Sequence, residues 1–117
     1  MKFLMTFAAA PDAPPPSPAT LAALGAYTQK MLASGVVLMT GGLVRPSRGI
    51  QLRCEGGQVS VTDGPFAETK ELIDGFALIQ TDSPASAVAL ATEFMHIAGD
   101  GTGEILQVFD PGGPPKA

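Results

Sequence analysis

Charge is the scarcest property of this chain. Charged residues fill 15% of its 117 positions, against roughly 25% in a typical domain. Seven Lys/Arg stand against eleven Asp/Glu, for a net charge of −4. That balance argues against a protein that grips phosphate backbones, because non-specific nucleic-acid affinity is mostly neutralisation by Lys and Arg; no nucleic-acid partner is expected. Cysteine is almost missing. Cys54 alone excludes an internal disulfide framework and a cysteine zinc cluster, and its place beside Leu52 and Arg53 in a strand-like run reads as a packed structural thiol. No apolar run approaches the ~20 residues of a membrane span. His96 is the sole histidine, so metal ligands would have to be scattered carboxylates, and no metal site is expected. No serine sits in a nucleophile elbow and no glycine loop matches a phosphate cradle. No cofactor is expected.

Apolar residues are plentiful at 45%, and 14 Gly with 11 Pro punctuate the chain. Disorder shows the reverse composition, low hydrophobicity with high charge. The length suits one domain, here residues 1–110, with 111–117 as a frayed tail. The opening MKFLMTFAAA is short and weakly charged for a signal peptide. Its Phe3, Met5 and Phe7 alternate with Lys2, Leu4 and Thr6, the pattern of a first strand, and a cytoplasmic location follows as the expectation.

Residues 11–18, PDAPPPSP, form a stiff connector that delays any helix until its end. Ser17 then serves as N-cap with Pro18 at the first helical position. Leu21, Leu24, Thr28 and Met31, flanked by Tyr27 and Leu32, give an apolar stripe over a helix of about 18–34, closed by Gly35. Residues 36–43 read as a strand ending in glycines. Ile50, Leu52 and Cys54, then Val59 and Val61, alternate with polar residues around Gly56-Gly57, a hairpin signal. Residues 72–81 form another strand. Ser83-Pro84 starts a second helix with Ala87, Leu90, Ala91, Phe94, Met95 and Ala98 on one face. Gly99 to Gly103 is a turn before a last strand, 104–109.

The order β-α-β, hairpin, β-α-β predicts a ferredoxin-like α+β sandwich: an antiparallel sheet with two helices on one face. Strict alternation groups Phe3, Met5 and Phe7 against Leu4. It likewise groups Val37, Met39 and Leu43 against Val36 and Leu38, and Phe76 and Leu78 against Ala77 and Ile79. In the last strand Ile105 and Phe109 oppose Leu106 and Val108. The sheet is thus apolar on both faces. Two helices cover one, so the other is expected to pack against a second copy in a homodimer.

The densest polar cluster is VTDGPFAETKE, which holds Asp63, Glu68, Lys70 and Glu71. Gly64-Pro65 turns the chain sharply, Phe66 anchors the loop, and Asp63 accepts turn N–H groups. In one reading this is a capped turn with solvated charges. In the other, Asp63, Glu68 and Lys70 bind a small polar ligand or shuttle its protons. Arg45, Arg48 and Arg53 crowd the preceding loop and strand, either facing the acidic loop or holding an anion. His96 sits one step off the second helix's stripe, facing solvent; an axial haem ligand is the rival reading.

The stretch VTDGPFAETKE, with GVVLMTGGL before it and Asp74-Gly75-Phe76 after it, resembles the DGPF proteins of the YCII-related group. The resemblance implies a ferredoxin-like fold that pairs into a dimeric α+β barrel. It also implies a bacterial protein of unassigned activity, a kind often encoded beside extracytoplasmic-function sigma factors. Glu104 of the last strand belongs to the family pattern, but Gln107 and Val108 stand where the family carries Arg-Pro, and the early aromatic pair of the fifth strand is reduced to Phe76-Ala77. If the family arginine holds Glu104, that contact is lost here. The His-Asp pair suggested for the wider group has no counterpart, since the first half of the chain has no histidine.

Three functions remain open. One is a dimeric small-molecule-binding or accessory protein, linked to sigma-factor regulation. Another is a cofactor-independent isomerase, lyase or monooxygenase-like enzyme using Asp63, Glu68 or Lys70. The last is a protein-interaction module in transcriptional control.

Overall fold

The computed structural model describes residues 1–44, 49–63 and 73–114. In chain order the elements are β1 (Lys2–Ala9), α1 (Pro18–Ala33), β2 (Val37–Gly42), β3 (Ile50–Glu55), β4 (Gln58–Asp63), β5 (Gly75–Gln80), α2 (Pro84–Ala98) and β6 (Gly101–Val108). Strands β2, β5, β1 and β6 form one sheet in that order, every pairing antiparallel. Strands β3 and β4 form a separate ribbon. The α+β ferredoxin-like arrangement is as expected from the element order.

Both helices begin as their sequences dictate. Ser17 Oγ accepts the Thr20 N–H at 3.1 Å and Ser83 Oγ accepts that of Ser86 at 3.1 Å, with proline in the first turn of each helix. Each serine satisfies a backbone donor that the helix itself cannot. Gly35, at φ +82° just past α1, takes the left-handed turn that L-residues avoid. Gly56 and Gly57 likewise have φ of +57° and +79°, the pair of positive values that a two-residue type I′ hairpin turn requires.

Phe3, Ile79 and Ala87 are the buried centre, with Met5, Val37, Ala77, Leu90 and Ile105 packed against them. Cross-strand register shows why these residues share the helix-covered face. Phe3 pairs with Ile79 and Met5 with Ala77, and Met5 also pairs with Ile105. The α2 stripe is covered throughout, while His96 is exposed. In α1 the covered face is Leu24, Tyr27, Thr28 and Met31. Leu21 and Leu32 are exposed, so the expected stripe is narrower than its leucines suggest.

Three further expectations need correction. Strict alternation placed Val37 and Met39 together, but a register shift between them sets Val37 opposite Ile79 and Met39 opposite Leu78, on opposite faces. An extra residue in one strand inverts everything after it. Strand β6 starts at Gly101, not at 104, and Gly101 and Gly103 pair with Ala9 and Phe7. Both are strand residues, and Gly101 makes room for Phe7. A Cβ on Gly101 would lie 2.5 Å from the Ala8 carbonyl oxygen and 2.7 Å from the Phe7 ring. Finally, Cys54 is exposed, because every residue of β3 and β4 is exposed and no layer among the described residues covers the ribbon.

Asp74 ties the sheet together just before β5. Its Oδ2 accepts the Ala9 N–H at 2.6 Å. Its own N–H donates to the Phe7 carbonyl and its carbonyl accepts the Leu43 N–H. The ends of β1 and β2 are thereby fixed against the start of β5.

Two glycine substitutions separate these roles. Gly101→Ala should lower unfolding stability by about 1–3 kcal/mol through forced repacking, read as an earlier midpoint in urea. Gly25→Ala, mid-helix with nothing within 4 Å of the added Cβ, should raise stability by about 0.5–1 kcal/mol. Equal midpoints for the two variants would contradict this account.

Candidate functional site

The sheet offers little bulk where β2 and β5 pass beneath the helices. Gly42 pairs with Gly75 and Thr40 with Ala77, so the helix side of this end carries side chains of few atoms. A cavity of about 160 Å³ results, lined by these strands, by Met5, and by residues of both helices. Tyr27 and Met31 of α1 and Leu90 and Phe94 of α2 form its helix side. The cavity adjoins the core at Ile79, whose side chain is 1% exposed.

Two of its hydroxyls, those of Thr40 and Tyr27, are already engaged. Thr40 Oγ1 donates to the Phe76 carbonyl at 2.8 Å. Tyr27 Oη donates to the Leu90 carbonyl at 3.2 Å, joining α1 to α2. Burial pushes the Tyr27 phenol up to about 12, and the charge and hydrogen bonding of Glu93 push it the same way. The lining among the described residues holds no carboxylate, ammonium, guanidinium or imidazole.

Of the residues singled out from sequence, those described fall elsewhere. Asp63 is exposed at the end of β4, opposite Ile50, and is no part of the cavity lining. Gly64, Pro65, Phe66, Glu68, Lys70 and Glu71, with Arg45 and Arg48, lie outside the described residues. Arg53 pairs with Glu55 at 3.6 Å, both well exposed, a contact of the kind usually worth ~0–1 kcal/mol. Glu104 is exposed opposite Thr6. Position 107 lies opposite Phe3, an odd number of residues from Glu104 and hence on the other face. A side chain at 107 therefore does not reach Glu104 within one chain, so the Gln107 departure breaks no such internal pair. His96 borders a shallow, open depression with Gly99, Asp100 and Gly101. Among the described residues no group of three or more His, Cys, Asp or Glu is placed to hold a metal.

Thr40, Ala77 and Gly75 are the lining residues that sequence reasoning missed. Their signal was present as small residues at 40–42 and 75–77, but it becomes a cavity only once the shift after Val37 turns Thr40 to the helix face.

Tyr27 is the only tyrosine and the chain has no tryptophan, so its ionisation is directly visible in ultraviolet absorbance. The folded protein should titrate near pH 12 and the unfolded chain near 10. Because the folded pKa is the higher, this group's contribution to stability is complete below pH 10 and is lost as pH rises towards 12. A folded-state titration at the ordinary value would show that the ring is not shielded.

Comparison with known proteins places this architecture. The chain matches the YCII-related domain over residues 1–110. It is 34% identical over 97 residues to an uncharacterised protein, R00369, of Rhizobium meliloti (strain 1021), covering 80% of this chain and 77% of that one. A domain match running from the first strand through the last makes this chain a member of the YCII-related family.

Proposed function

We propose that the protein is a homodimeric binding or accessory protein of the bacterial cytoplasm that holds a small uncharged molecule between its helices and its sheet. The observation that carries this reading is the cavity itself, mostly apolar and without carboxylate, ammonium, guanidinium or imidazole among the described residues that line it. A general acid or base has to lie within hydrogen-bond reach of the atom it serves, and Asp63 is not in the lining. The enzyme reading built on Asp63, Glu68 and Lys70 thus gains no support from the cavity. The likeness of VTDGPFAETKE to DGPF proteins, with the sigma-factor setting it implies, fits an accessory role.

Association is argued from the face that the helices leave open. Leu4, Leu78 and Leu106 are in register across β1, β5 and β6, and Met39 extends the row on β2. Leu106 is 50% and Met39 58% exposed. The ribbon adds Leu52 and Val61, paired on one face and exposed. Continuous apolar surface of this kind marks an interaction site, and a second copy closes it by an isologous two-fold contact.

Light scattering should give twice the 11.9 kDa chain mass, and Leu106→Glu should return the mass to that of one chain while the fold, read by circular dichroism, persists. A wild-type protein that scatters as a single chain at micromolar concentration would end the dimer proposal. Thermal melts with a panel of small neutral compounds test the binding half. A ligand at a hundred times its Kd should raise stability by about 2.7 kcal/mol, and no shift from any neutral compound would end that half.

A further inference from the structure

The cavity's chemistry narrows what it holds, given the reading of it as a ligand site. Its volume of about 160 Å³ is close to that of an apolar protein cavity, ~150 Å³, that stays dry and takes up benzene. With no cation in the lining, an anionic ligand would lose its hydration without a partner. No carboxylate lines the cavity to receive a cation, and Glu93, which acts on Tyr27, is exposed and outside the lining. Thr40 and Tyr27 already donate to backbone carbonyls, and Thr6 and Thr28 are the other hydroxyl-bearing residues of a lining that is otherwise apolar. The ligand that suits such a lining is mostly hydrocarbon.

The lining also distinguishes between kinds of hydrocarbon. Two thioethers, Met5 and Met31, share it with the rings of Tyr27 and Phe94, while Phe76, paired with Thr6 and Gly41, turns its ring to the opposite face of the sheet. Sulfur–aromatic contacts and edge-to-face ring pairs favour a π-system over a saturated ring of the same size. Phe94 already makes such a contact on its other side, with Phe7 at a centroid distance of 5.3 Å and an interplanar angle of 79°, which holds its ring in place. We propose that the cavity between α1, α2 and the β2–β5 end of the sheet binds a neutral monocyclic aromatic molecule, selected over saturated and charged analogues by Met5, Met31 and the surrounding rings.

The full chain labelled with ¹³C at the methionine methyls tests this, with benzene, cyclohexane and benzoate as probes. Benzene should shift the Met5 and Met31 signals and leave Met39, on the opposite face of the sheet, in place. It should bind at least about 3-fold tighter than cyclohexane, and benzoate should leave all these signals unmoved. Met31→Leu conserves volume closely enough to keep the fold. It should weaken benzene on the order of 2- to 10-fold with cyclohexane unchanged; Met5→Leu is the second variant should Met31→Leu not fold. Equal affinity for benzene and cyclohexane, or equal loss of both in the Leu variant, overturns the aromatic preference and leaves the binding site standing. Benzoate binding as tightly as benzene overturns the neutral class. If neither hydrocarbon moves Met5 or Met31, the cavity is not a ligand site and the binding half of the proposed function falls with it.

Discussion

Two helices can cover one face of a four-stranded sheet, and this chain has made both faces apolar. Phe3, Met31, Ile79 and Ala87 are its buried hydrophobic residues among those described. That is a thin core for a chain with 45% apolar positions, and small domains have little burial to spare. The radius of gyration, 16.4 Å, exceeds the ~13 Å of a compact domain of similar length, as expected when a ribbon is exposed along its length. The uncovered sheet face, the exposed ribbon and the exposed Cys54 all follow from that one mismatch between apolar surface and helical cover.

Glycine decides where the covered face is filled and where it is not. At the β6 edge, Gly101 makes room for Phe7, and the Phe7 ring with Phe94 fills the space. At the β2 edge, Gly42 pairs with Gly75, and neither brings a side chain to the helix side. The nearby ring of Phe76 lies against Gly41 instead, where a Cβ would stand 3.2 Å from it. The same device, small residues on adjacent strands, gives a packed end and a hollow end. The difference is the presence of an aromatic residue at position 7 and the direction in which residue 76 faces.

This explains what the sequence disclosed and what it did not. Ser17-Pro18, Ser83-Pro84 and Gly56-Gly57 carry their conformations locally, so helix starts and the hairpin were legible from a few residues each. The two-sided sheet was legible from alternation in β1 and β5, which holds. Alternation fails in β2, because a register shift depends on the partner strand, and with it went the placement of Met39 and Thr40. The strand role of Gly101 and Gly103 was hidden because glycine reads as turn until the Phe7 ring above it is known. Cys54 was misread for a similar reason. Its period-two neighbours announce a strand but say nothing about whether another layer lies above it. The cavity belongs to this second kind of fact, since it is made of residues 35 positions and more apart, Thr40 and Gly75, whose smallness matters only in combination.

The hollow end and the open face bear on each other through stability. Residual closed volume in a folded core costs about 24 cal/mol per Å³; this cavity is partly open to solvent, so its cost lies below the ~4 kcal/mol that a closed void of its volume would forgo. Domains have only about 5–15 kcal/mol in all, and this one begins with few buried side chains. A partner subunit on the open face would restore apolar burial without touching the cavity, because the two lie on opposite sides of the same strands. Filling the cavity from within, by a larger residue at 77, would restore it too but would remove the site. The chain keeps Ala77 beneath Tyr27 and Met31 and presents leucines to the outside. That combination is intelligible if association supplies the stability that an occupied binding cavity needs its apoprotein to survive without.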